Sequence, residues 1–159
     1  EKVGDVQLDQ GDLSGALSSY EASLAIRARL AASNPSNAGW QRDLSASDAS
    51  NAGWQRDLSV SYERVGNVQL AQGDFSGALT SYEASLAISE RLATSDPSNA
   101  EWQRDLWVSL WKLRQHPSSS VTWAQIVECM EEMGERDVLA PADYRWLETA
   151  RANMESEMQ

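Results

Sequence analysis

Residues 63–95 read ERVGNVQLAQGDFSGALTSYEASLAISERLATS, and this stretch decides the fold because the chain contains it twice. Residues 1–33 repeat it at an offset of 62 and differ from it only at positions 2, 5, 9, 13, 18, 27, 28 and 32. The match runs on, with Asn34-Pro35-Ser36-Asn37-Ala38-Gly39-Trp40-Gln41-Arg42-Asp43-Leu44 answering Asp96-Pro97-Ser98-Asn99-Ala100-Glu101-Trp102-Gln103-Arg104-Asp105-Leu106. A second copying event lies inside the offset: Ala32–Ser45 recurs almost unchanged as Ala46–Ser59, 14 residues on. The underlying unit is therefore the 48 residues that separate Trp54 from Trp102.

Each unit reads as two helices. In the first, Trp54, Leu58, Tyr62 and Val65 fall at spacings of four and three, which places them on one stripe of a helix over about 51–72. Gly73-Asp74 breaks that pattern, with Asp74 an expected N-cap for a second helix over about 75–94. The second stripe is Ala78, Leu79, Tyr82, Leu86, Ile88 and Leu92, and Asp96-Pro97 ends it. Ser98-Asn99-Ala100-Glu101 has the spacing of a capping box that opens the next first-type helix, over about 99–115. The earlier copy predicts helices over about 1–10 and 13–33. For the duplicated stretch the reading leans to a short helix near 38–45, a break at Ser47-Asp48 and a fresh start capped by Ser50. One continuous helix over 38–72 is the competing reading, since Ala49 stands where Pro35 and Pro97 stand in the other copies.

An aromatic residue, then a small residue after an aliphatic one, then Ala-x-x-x-aromatic is the pattern carried by Tyr62, Val65-Gly66, Ala78 and Tyr82, and by Val3-Gly4, Ala16 and Tyr20 in the earlier copy. In this the chain resembles the tetratricopeptide-repeat family over residues 1–115, with longer helices than the usual repeat of about 34 residues. The resemblance implies an all-α fold of antiparallel helix pairs wound as a superhelix, with a C-terminal helical cap. Gly66 and Ala78 are small where two helices approach, and Tyr82 fills the gap beside them.

After Gln115 the repeat stops at His116-Pro117-Ser118-Ser119-Ser120. Residues 116–159 form the predicted cap: a helix over about 122–133 with Trp123, Ile126, Val127, Met130 and Met133, a stop at Gly134, and a helix over about 141–154 opened by Pro141. That last helix carries Tyr144, Leu147, Ala150 and Met154. This tail resembles, more loosely, segments that follow such repeats in bacterial proteins. Within the third first-type helix, Trp107 and Trp111 replace Ser59 and Glu63 of the previous unit. A tryptophan buries about 150–250 Å², so two of them on a formerly polar row need a cover. The cap is the favoured cover, and a bound ligand the alternative. At the other end, Glu1 aligns with Glu63, so the first helix starts part-way along its unit and reads as a fragment of a longer protein.

The 159 residues carry a formal net charge of −11, with 42% apolar residues. That excess of acid argues against nucleic acid and anionic membranes, which are bound by surplus Lys and Arg, and favours a partner with basic segments. Cys129 is the only cysteine, so no internal disulfide forms, and a cytoplasmic setting is expected. Catalytic groups are sparse. His116 is the only histidine and reads as a helix C-cap, and Cys129 as a buried structural thiol with no histidine to activate it. Glu128, Glu131, Glu132 and Glu135 read as a solvated helix face rather than a calcium site. Neither Gly11–Gly15 nor Gly73–Gly77 has the lysine of a phosphate loop. No enzyme, metal or cofactor is expected.

What the resemblance implies is a binding module that holds a protein or peptide on the concave side lined by first-type helices. Carried onto this chain, that lining is Glu1, Asp5, Arg56, Ser59, Glu63, Asn67, Arg104, Trp107 and Trp111. The alternative is structural: homo-oligomerisation or domain exchange within a larger assembly.

Overall fold

The computed structural model describes residues 2–32 and 44–158, apart from the side chains of residues 27, 28, 30–32, 44–51 and 54. The described residues are helical throughout, with no strand among them: α1 Lys2–Asp9, α2 Leu13–Ala32, α3 Leu44–Ala71, α4 Phe75–Ser95, α5 Ala100–Arg114, α6 Trp123–Glu135 and α7 Tyr144–Glu157, the last opened by a 3-10 turn at Pro141–Asp143. Two compact units divide the chain, Glu1–Ile88 and Ser89–Gln159.

In the first unit, α2 packs against both α1 and α3. The turns between paired helices are built alike. Gly11 and Gly73 take φ of 77° and 80°, a left-handed conformation that costs glycine nothing. The next residue caps the following helix: Asp12 Oδ1 accepts from Gly15 N and Asp74 Oδ1 from Gly77 N, each at 2.9 Å. Tyr20 then lies over Gly4, and Tyr82 over Gly66, so closely that a Cβ on either glycine would sit 2.7 Å from the ring. Ala16 and Ala78 are fully buried beside these contacts. Val65 and Val68 of α3 join Ala16 and Tyr20 in the core, flanked by Leu13, Leu17 and Leu24 of α2. Of the expected stripes, Leu58, Val65, Ala78, Tyr82 and Ile88 in this unit and Leu92 in the second are buried, while Tyr62, Leu79 and Leu86 are half-buried. Trp54 and Trp40, also assigned to the stripe or the repeat, lie outside the described side chains.

Helix α3 departs from the expected break. It begins at Leu44 and runs 28 residues, straight through Ser47-Asp48 and Ser50, so no fresh start occurs there. The hydrogen-bond ladder of a helix needs no apolar surface to continue once nucleated, and Ala49 offers no proline to stop it. Residues 38–43 lie outside the described residues.

In the second unit, α5 packs on α6 and α6 on α7. Its core is Leu110, Leu113, Ile126, Val127, Met130, Met133, Leu139, Leu147 and Ala150. Three local expectations shift by a few residues. Asn99, not Ser98, caps α5 by accepting from Trp102 N at 3.2 Å, because Ser98 is turned back onto Asp96 Oδ1 at 2.6 Å. The reciprocal capping box instead opens α6, between Thr122 and Gln125. Gly134 does not stop α6: the helix continues to Glu135, and Asp137, at φ 59°, supplies the left-handed turn. Val138 N then accepts the closing role by donating to Met133 O at 2.9 Å. Tyr144, placed on the apolar stripe of α7, is 46% exposed.

Candidate functional site

The lining expected from first-type helices falls on α1 and α3 in the first unit and on α5 in the second. Glu1 lies outside the described residues.

Asp5 of α1 stands where three elements meet. Its Oδ1 accepts the phenol proton of Tyr20 of α2 at 2.7 Å, and an ion pair joins it to Arg64 of α3. The Arg64 guanidinium also lies over the Tyr20 ring, 5.8 Å from its centroid. The Tyr20 hydrogen bond, helped by Arg64, holds the Asp5 carboxyl below its usual range against the opposing effect of burial. Burial first, and then Asp5, pushes the Tyr20 phenol up to about 12. The second copy repeats the contact with an amide: Tyr82 Oη donates to Asn67 Oδ1 at 2.8 Å, and burial with the nearby charge of Glu63 raises the Tyr82 phenol. The neighbouring serines also match. Ser19 donates to Gln7 at 2.6 Å, and Ser81 to Gln69 at 2.7 Å.

Of the α3 residues, Asn67 is exposed and Arg56 and Glu63 are half-buried. Ser59 is not on the surface. It is 4% exposed and its hydroxyl meets the hydroxyl and carbonyl oxygens of Ser85 in α4 at 2.9 and 3.2 Å. A serine on a helix interior reads as polar, yet its small size suits a close helix–helix contact where its hydroxyl finds a partner. Ser85 and Ser89 are buried in the same way, and Ser61 is buried with its hydroxyl donating to Asp57 O of its own helix at 2.8 Å.

The α5 residues are drawn into the tail. Trp107 is 4% exposed and so presents no face to a partner, which corrects its place in the lining. Trp111 is half-buried and forms edge contacts with Trp123 of α6 and Trp146 of α7, at centroid distances of 5.0 and 5.2 Å, and with Trp107 at 6.4 Å. This is the cover that two tryptophans on a polar row demanded. Arg104 Nε donates to Asp143 Oδ2 at 3.1 Å, and Asp143 is 4% exposed in the 3-10 turn before α7. Arg114, at the position Gly66 holds one unit earlier, lies over Trp123 at 5.1 Å and pairs with Glu157. The Nε1 of Trp107 is buried with no acceptor among the described residues.

The roles of Arg64 and Asp143 were not legible in the sequence, because their partners lie 59 and 39 residues away. The Thr122–Gln125 spacing, by contrast, was a readable signal for the capping box.

The remaining reactive groups sit in the second unit. His116 is 4% exposed; its backbone N–H donates to Leu113 O at the end of α5 at 2.9 Å, and its Nδ1 accepts from Ser118 N at 3.2 Å. Burial, reinforced by Glu132, pushes the Cys129 thiol up to about 12, far from a thiolate at neutral pH. Glu131 pairs with Arg151 and Glu132 with Arg136 on the exposed side of α6. No group of three or more His, Cys, Asp or Glu among the described residues is placed to hold a metal. No described helix is long and apolar enough to cross a membrane.

Neither family models, nor curated proteins, nor solved structures match this chain.

Proposed function

We propose that this chain is a non-catalytic interaction module, a tetratricopeptide-like scaffold whose first-type helices hold a peptide or helix of a partner protein. The observation that carries the reading is the duplicated helix-pair contact. Gly4–Tyr20 and Gly66–Tyr82 share their close approach, their tyrosine hydrogen bond and their serine–glutamine hydrogen bond. Such repetition gives a stable frame that presents equivalent side chains in series, which is how repeat proteins assemble extended binding surfaces. The partner surface on α3 is Arg56, Glu63 and Asn67, with Asp5 of α1 beside it.

The net charge of −11 directs this surface toward partners with basic segments. Such attraction between exposed groups is screened over about 8 Å at physiological salt, so binding weakens as salt rises. The burial of Ser59 and Trp107 removes both from the partner surface and leaves their roles structural. The chemistry of His116 and Cys129 favours the same reading, since one is engaged by a backbone amide and the other is held as a thiol.

The test is a light-scattering concentration series followed by capture of basic helical peptides from a displayed library. A monomer that retains peptides, and loses them when Glu63→Arg and Asn67→Ala are introduced together, supports the reading. The control is Glu83→Arg on the exposed surface of α4. Retention unchanged by the α3 substitutions, or a dimer at every concentration, favours self-assembly instead.

A further inference from the structure

We infer that the groove between α6 and α7 receives an arginine side chain of a partner protein. The groove has a volume of about 400 Å³ and is lined by Glu131, Gly134 and Glu135 of α6 and by Tyr144, Leu147 and Arg151 of α7. That size suits one side chain rather than a docked helix, whose diameter alone is about 10–12 Å. Leu147 is 4% exposed and forms the apolar base, whereas Tyr144 is 46% exposed although it stands on the apolar stripe of its helix. Glu131 is already engaged, since it accepts from Arg151 Nε and Nη2 at 3.1 and 2.7 Å. Neither the Tyr144 phenol nor the Glu135 carboxylate has a hydrogen bond or ion pair among the described residues.

Gly134 is explained by the groove and by nothing else around it. It lies inside α6 without a left-handed φ, so its backbone does not require glycine. Gly4 and Gly66 each admit a tyrosine ring, but a Cβ on Gly134 would meet only Tyr144 Oη, at an ordinary 3.7 Å. Glycine at such a position is unfavourable for a helix relative to alanine. What its missing side chain leaves is open space beside the Tyr144 phenol.

The chain itself shows what an aromatic ring and a carboxylate hold together. Arg64 lies over the Tyr20 ring and pairs with Asp5, and Arg114 lies over Trp123 and pairs with Glu157. In the groove Tyr144 and Glu135 supply the same two parts, and Arg151 is committed to Glu131. Two carboxylates against one guanidinium leave the lining negative, which selects a cation. Arginine fits better than lysine. Its planar group stacks on a ring and forks onto a carboxylate, while its methylenes lie along apolar surface such as Leu147. The other acidic residues of α6, Glu128 and Glu132, stand off the groove, and Glu132 pairs with Arg136. The inference concerns the second unit and does not rest on the α3 partner surface.

The experiment titrates the isotopically labelled whole chain with a blocked glycine pentapeptide carrying one central arginine, followed by NMR. Saturable shifts are expected at the amides of Gly134, Tyr144 and Leu147. Glu135→Gln and Tyr144→Ala should each weaken binding about twofold to fivefold, the range for an exposed ion pair or a cation over a ring. Both side chains are exposed, so the melting temperature should stay near the parent's. Gly134→Leu separates binding from folding. Filling the groove should abolish the shifts, while removal of a helix glycine holds or raises the melting temperature. A lysine peptide should bind more weakly, and a citrulline peptide, uncharged at the same shape, should not bind. Absence of saturable shifts overturns the inference, as does binding that Gly134→Leu leaves intact or that citrulline matches. So does an equal loss from Glu128→Gln and Glu135→Gln, which marks diffuse acidity rather than a site. Shifts reproduced by concentrating the chain alone overturn it too, since a second copy is then the occupant.

Discussion

The two units solve the same packing problem with opposite materials. In the first, helices approach closely over glycine, and tyrosines Tyr20 and Tyr82 fill the space beside Gly4 and Gly66. In the second, Arg114 occupies the glycine's position, and helices are joined through an edge-packed group of Trp107, Trp111, Trp123 and Trp146. The tyrosine arrangement can be copied along a chain, because each helix presents one glycine face and one aliphatic face. The tryptophan arrangement cannot, because Trp111 is already shared between α6 and α7. Repetition thus uses small contacts, and termination uses large ones.

The largest loss of stability is expected for Tyr82→Ala. Tyr82 is 4% exposed, and its loss should cost about 3–5 kcal/mol in a denaturant titration, as for other buried aromatics. A cost under about 1 kcal/mol would show that the glycine approach does not depend on the ring. Trp111→Ala tests the other material. With the ring half-buried, we expect about 2–4 kcal/mol together with loss of the near-ultraviolet dichroism that coupled tryptophans generate. Persistence of that signal would assign it elsewhere.

Gly66→Ala should follow at about 1–3 kcal/mol of destabilisation, measured by thermal melting. Two effects compete here: alanine favours helix over glycine by about 1 kcal/mol, but its Cβ meets the Tyr82 ring. Contact at 2.7 Å decides for the clash, and a stabilised variant would reverse that judgement. Alkaline pH probes the tyrosines without mutation. Folding raises the Tyr20 phenol from 10.0 to about 12, so the folded state favours the protonated form. That contribution is complete below pH 10 and is lost as pH rises through about 12. Midpoints of urea unfolding should therefore fall across this window, and a flat profile would disconnect Tyr20 from stability. The smallest effect belongs to Trp107→Phe. It keeps an aromatic ring and removes an indole N–H that has no acceptor among the described residues, so stability should stay within about 1 kcal/mol of the parent by the same titration.

Much of this architecture was legible in the sequence because the repeat carries its own internal control. The helix pairs, the Gly66–Ala78–Tyr82 contact and the Asp74 cap all follow from local spacing, and local spacing survives folding unchanged. Burial of Ser59 was not legible. Hydrophobic periodicity sorts serine with the polar face, whereas the close approach of α3 and α4 selects it for size. Trp107 was legible in half. Its need for cover was readable from the replaced serine, but which tryptophan the tail would meet depended on how α6 and α7 return. The start of α5 was misplaced by one residue because Ser98 and Asn99 both have capping side chains, and only the competing bond to Asp96 decides between them.

The uninterrupted α3 has a consequence for how such a chain changes over time. Fourteen residues at about 100° each turn the helix by about 1400°, within about 40° of four complete revolutions. A tandem copy of that length therefore returns the downstream residues almost to their original angular setting. Val65 and Val68 still meet α2, although the helix has been lengthened upstream of them. Insertions that advance by near-whole revolutions are silent to the neighbours, and those of ten or twelve residues would not be, since they rotate the contact face by roughly 80–120° away from its partner.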